Sequence, residues 1–168
     1  MMKSLAIKLL SIVLISSFMF SCAKEDDGIY FDDNSTIIET PVTYSDIENE
    51  ILTLVNDYRE NIGLSTLTTL NIVSNVANGH TEYMIENGKV SHDNFSNRAE
   101  TLMNNAKAKS VAENVAYGYS TAQGVLNGWL NSPDHKKIIE GSSYTHFGIS
   151  TACNTKGRNY FTQIFIKK

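Results

Sequence analysis

The sequence predicts an α+β domain in which helices cover a mostly antiparallel sheet. Three observations lead there. Apolar residues recur at helical spacing between Ile47 and Met84. The segment from Phe147 to the end is rich in Phe, Tyr, Ile and Thr around a short polar turn. Between them the elements run in the order helix, helix, strand, helix, strand, strand.

Ser45 followed by Glu48 makes a capping box, in which hydroxyl and carboxylate satisfy free backbone amides at a helix start. Ile47, Ile51, Leu54, Tyr58 and Ile62 then form one face of a helix that stops at Gly63. A second helix is expected from Thr69 to Asn87, ending at Gly88, with Val73, Ala77, His80 and Met84 on its buried stripe. A strand is expected around Asn114 to Tyr117. A third helix, Thr121 to Asn131, offers Val125, Leu126 and Trp129 to the core. Ser132 then serves as N-cap and Pro133 as first residue of a short helical turn. Phe147–Cys153 and Asn159–Lys168 read as two strands joined across Asn154-Thr155-Lys156-Gly157. Trp129 and Phe165 read as core residues.

Length and charge bound the rest. The 168 residues suffice for one ordinary domain, and 42% hydrophobic content is ample for its core. A net charge of −4 shows no basic excess, which argues against a nucleic-acid partner. The charge is uneven along the chain. Residues 1–21 carry Lys3 and Lys8 and no acid, residues 22–44 carry six acids against Lys24, and residues 45–168 are close to neutral. The apolar run from Leu9 to Phe20 behind a Lys-bearing start is laid out as a secretory signal peptide, and is too short to span a bilayer. Ser21-Cys22 at its end resembles a bacterial lipobox, which makes Cys22 the expected lipidation site and membrane anchor. Lys24-Glu25-Asp26 resembles the signal that sends some lipoproteins to the outside of the outer membrane. The chain is thus expected to be exported as an outer membrane lipoprotein, with 1–21 as leader, 22–44 as acidic tether and 45–168 as a monomeric domain.

Several segments of that domain occur in an order that resembles the CAP superfamily, the SCP-like domain of cysteine-rich secretory, antigen 5 and plant pathogenesis-related proteins, and most of all its bacterial branch. They are Ala77-x-x-His80-x-x-x-Met84, Ser91-His92, Ala112-Glu113-Asn114-Val115-Ala116, Trp129 through His135, and Phe147-Gly148-Ile149 with Tyr160-x-x-Gln163-x-Phe165. The resemblance spans residues 45–168 and implies a three-layer α-β-α sandwich. Three departures stand out: Ala112 replaces a glycine, no second glutamate follows Trp129, and the family's disulfides are missing, leaving Cys153 as a buried or strand thiol.

The resemblance also implies a cleft holding His92, Glu113 and His135, with His80 and Asn114 as further cleft residues. Two imidazoles and a carboxylate suit Zn²⁺ at about 2.0–2.2 Å, with a position left for water or ligand. Other roles stay open. His92 and His135 are also readable as structural histidines and Glu113 as an anchor for backbone amides, while His80, on an apolar stripe, reads first as a core residue. His146 receives no role, and Asn94-Phe95-Ser96 reads as a polar loop. Two functions compete: a non-catalytic binding module for a metal and a lipid, sterol or peptide-like ligand, or a metal-assisted hydrolase, a peptidase, with zinc-bound water as nucleophile and Glu113 as base. Without the second acid, and without a nucleophile elbow or a zinc-protease helix motif, the residues favour binding.

Overall fold

The computed structural model describes residues 40–168. The leader, Cys22 and most of the acidic tether lie outside the described residues. Five helices and four strands follow in the order α1 (Asp46–Asn61), β1 (Thr68–Thr69), α2 (Asn71–Asn87), α3 (Phe95–Asn105), β2 (Ser110–Tyr117), α4 (Ala122–Leu130), α5 (Pro133–Ile139), β3 (His146–Cys153) and β4 (Asn159–Lys167).

The strands form one sheet in the order β1-β3-β4-β2. β4 runs antiparallel to both neighbours, with Phe165 opposite Phe147 on one side and Ala112 on the other. β1 pairs with β3 in parallel, so the sheet is mixed rather than purely antiparallel. That stub of two residues lies between α1 and α2 and carries too little pattern to be read from sequence.

Alternation along the strands divides the core. Phe147, Ile149, Phe161 and Phe165 face one way and pack with Ile51, Leu52 and Val55 of α1, Leu126 and Trp129 of α4, and Ile139 of α5. Ile164 and Ile166 face the other way, against Ile72, Val73 and Ala77 of α2 and Leu102 of α3. Helices on both faces make the α-β-α sandwich. Gly148 is required where β3 meets α2, because a Cβ there would lie 2.5 Å from the Ser74 backbone nitrogen.

Local signals act as their chemistry dictates. One Glu48 oxygen accepts from the Ser45 backbone at 2.8 Å and its hydroxyl at 2.7 Å; the other accepts from the Thr151 N–H at 2.6 Å, tying the start of α1 to β3. α2 ends at Gly88 with φ 63°, the left-handed conformation that glycine adopts without cost. Thr121 caps α4 through Gly124, and Pro133 opens α5 behind Ser132.

Three expectations are corrected, and a fourth is narrowed. Asn94-Phe95-Ser96 is no polar loop: Asn94 is the N-cap of α3 and the next two residues are its first turn. The buried stripe of α1 is Glu48, Ile51, Leu52, Val55 and Arg59, while Ile62 is exposed, because a wholly buried arginine turns that face inward. The strand around Asn114 begins earlier, at Ser110. Cys153 is the last residue of β3, the strand thiol of the two alternatives, and is exposed.

Candidate functional site

β2 is an edge strand, and its side chains alternate between the two helical layers. Glu113 points toward α2 and α3; Ala112 and Asn114 point toward α4 and α5. A groove of about 230 Å³ runs over this edge, lined by His92, Phe95, Val111, Ala112, Glu113 and Ile138. α3 supplies one wall through Phe95 and α5 the other through Ile138.

Glu113 lies at the base of the groove and is 4% exposed. Its carboxylate is gripped by Arg98 in a two-pronged pair, Nε to Oε2 at 2.8 Å and Nη2 to Oε1 at 2.7 Å. His92 Nδ1 donates to the same Oε1 at 2.8 Å. His80 comes to 3.8 Å from that oxygen, but its Nε2–H is spent on the Ser91 carbonyl at 2.7 Å. Burial alone would raise the Glu113 pKa; the hydrogen bonds from His92 and Arg98 and the guanidinium charge outweigh it, and the carboxyl is held below its ordinary value. Burial lowers the pKa of His80 despite the Ser91 bond, which favours the neutral ring.

The expected residues divide into two groups. His80, His92 and Glu113 come together. His135 sits on α5, half-buried, near enough to His92 for that ring to help burial in lowering its pKa, yet it has no hydrogen bond to Glu113. Asn114 reaches the opposite layer, where its Nδ2 donates to the His135 carbonyl at 3.2 Å. His146 opens β3, with its Nδ1 2.8 Å from the Thr145 hydroxyl.

Sequence reading missed Arg98, the residue that decides the chemistry of Glu113. It also missed the walls, Phe95 and Ile138. The spacing of Phe95, Ala99, Leu102 and Ala106 would have revealed α3 and placed Arg98 one turn after its start. Arg98 is fixed further by donating Nη1 to the Asp93 carbonyl at 2.6 Å and by lying over the Phe95 ring, 5.9 Å from its centroid.

This arrangement does not fit a zinc ion. Among the described residues no group of three or more His, Cys, Asp or Glu side chains is placed to hold a metal. The cation already against Glu113 is a guanidinium, and a carboxylate so engaged is neither a free ligand nor a free base. What the site offers is an apolar trough with a buried polar floor.

A family model described as the cysteine-rich secretory protein family, CAP, matches residues 52–165. A membrane protein of Bacillus subtilis, YlbC, is 36% identical over 126 residues, which cover 72% of this chain and 34% of that one. YkwD of the same organism is 26% identical over 80% of this chain and 52% of its own length. The chain thus spans about a third and about half of these two relatives. Among solved structures, an outer surface protein of Borrelia burgdorferi superposes with a TM-score of 0.68 at 21% identity, over 76% of this chain and 96% of its own. An extracellular SCP-domain protein of Bacillus anthracis gives 0.63 at 27% identity, over 77% and 45%.

Proposed function

The chain belongs to the cysteine-rich secretory protein family, and from that premise we propose that it is an exported binding module, held to a membrane through lipidated Cys22, rather than an enzyme. Relatives described as extracellular, outer surface or membrane proteins support the location. The finer placement, an outer membrane lipoprotein facing the cell exterior, rests on Ser21-Cys22 and Lys24-Glu25-Asp26.

The single observation that carries the binding reading is the state of Glu113: buried, doubly held by Arg98 and bonded to His92. A hydrolase needs a carboxylate that can take a proton from water. This one is locked as an anion by a permanent cation, while Phe95, Val111 and Ile138 supply the apolar contact area of a ligand groove.

The test incubates the full chain with labelled palmitate, cholesterol and a peptide pool, and assays casein hydrolysis in parallel. Binding without turnover, weakened in the Phe95→Ala and Ile138→Ala variants, is the expected result. Casein cleavage that disappears in Glu113→Gln would overturn it.

A further inference from the structure

The groove floor is a strand edge, and its backbone groups point into the groove. In an antiparallel ladder, residues whose N–H and C=O face the neighbouring strand alternate with residues whose groups face away. Gly118 donates to Asn159 at 2.8 Å, continuing the register that pairs Tyr117 with Tyr160. The even residues of β2 therefore bond to β4, and Val111, Glu113 and Val115 turn their backbone groups outward. Val115 confirms the phase, because its carbonyl accepts from the Trp129 indole at 3.1 Å, on the side away from β4. Trp129 closes the edge there. At Val111 and Glu113 no such partner exists among the described residues, and both line the groove.

We propose that this free edge takes an extended peptide segment of a partner protein, which adds as a short strand beside Val111–Glu113. The inference rests on the binding reading and names the ligand class. An extended polypeptide presents N–H and C=O groups at the two-residue repeat that Val111 and Glu113 demand. An acyl chain or sterol would desolvate these groups and leave them unpaired. The peptide's alternate side chains fall toward Phe95 on one wall and Ile138 on the other, so an apolar residue belongs there.

Charge sets the other end. Lys109 precedes the strand, Lys167 pairs across from Ser110, and both are exposed with no ion pair among the described residues. Lys107, also exposed, lies two residues before Lys109. Glu113 is already neutralised by Arg98. An acidic residue at the lysine end therefore completes the match.

The test pans a random hexapeptide display library against the full chain. Enriched peptides should slow amide exchange at Val111 and Glu113 and shift the His92 ring resonances. Val111→Pro removes one outward N–H, leaves the bonds to β4 whole, and should weaken them about tenfold or more. Lys109→Glu should weaken the acidic ones by a similar factor. N-methylation at alternate peptide residues probes the same bonds from the ligand side, without requiring any variant to fold. Peptides that shift His92 yet bind equally well when N-methylated, or to Val111→Pro, would overturn strand addition while leaving the groove a ligand site. Palmitate or cholesterol bound in the groove with no enriched peptide would also overturn it. Failure of all three probes would remove the binding reading itself.

Discussion

Two arginines, one buried and one partly buried, do different work in this fold. Arg59, on α1, is wholly inaccessible and meets only carbonyls: Nε donates to Ser65 at 3.0 Å, and Nη1 donates to Ile139 at 2.5 Å and to Gly141 at 3.1 Å. It sits at the C-terminal end of α5, where the helix dipole is negative, so partial charges balance it. Arg98, on α3, grips a carboxylate at the base of an open groove. The first is a clasp between helices. The second sets the chemistry of a site, because a full anion held by a full cation can neither ligate a metal nor accept a proton at neutral pH.

The largest effect is expected from breaking the clasp. Arg59→Met keeps much of the side-chain volume but strands the three carbonyls, each losing a bond to a charged donor. A loss of about 3–5 kcal/mol follows. Urea unfolding measures it, and a change below about 1 kcal/mol would show that the buried guanidinium contributes little net stability. Because Arg59 touches no part of the groove, ligand binding in the folded fraction should be unaltered.

Arg98→Ala sharpens the contrast. It leaves the Glu113 anion buried with His92 as its remaining donor, which should cost about 2–3 kcal/mol. It should also create what the native groove lacks. With the guanidinium gone, the uncompensated Glu113 carboxylate lies bonded to His92 and 3.8 Å from His80, and Zn²⁺ affinity should rise over that of the native chain. Titration calorimetry on both proteins decides the matter: equal affinities would show that Arg98 is not what keeps zinc out.

The same pair of arginines shows what the sequence could reveal. Capping residues, the glycine at the end of α2 and the stripe Val73, Ala77, His80 and Met84 were legible because each is a local pattern. So were the two C-terminal strands. The face of α1 was misread because Arg59 is apolar in position and charged in kind, and hydropathy assigns it to solvent. Arg98 was invisible for a different reason. It lies fifteen residues from Glu113 on another element, and only the packing of α3 over β2 joins them. The family resemblance supplied His92 and Glu113 but placed Asn114 and His135 beside them; strand alternation sends Asn114 to the opposite layer.

Acid should dissect the site in two steps. His80 has a lowered pKa in the folded protein, so its neutral form stabilises the fold above the unfolded value of about 6.5, and this contribution is lost as pH falls through the lower folded value. Glu113 is also depressed, so its contribution is complete above about 4.3 and disappears at still lower pH. Melting temperature should therefore fall first as pH drops below about 6.5, then again as it drops below about 4.3. His80→Gln, which can still donate to Ser91, should flatten the first step and leave the second. An unchanged first step would assign it to the other histidines with a burial-lowered pKa, His135 and His146.

The smallest effect is expected at Cys153. It ends β3 opposite Asn159, exposed and free, on a different strand from Glu113. Serine is nearly isosteric, and an exposed strand end gains little from sulfur, so Cys153→Ser should shift stability by less than about 0.5 kcal/mol. Ligand binding should be unchanged. A larger loss in urea unfolding would mean that the thiol contributes packing which its exposure does not reveal. The near-silence of this position beside the losses at Arg59 and Arg98 would show that stability here follows buried charge and its partners, not residue rarity in the sequence.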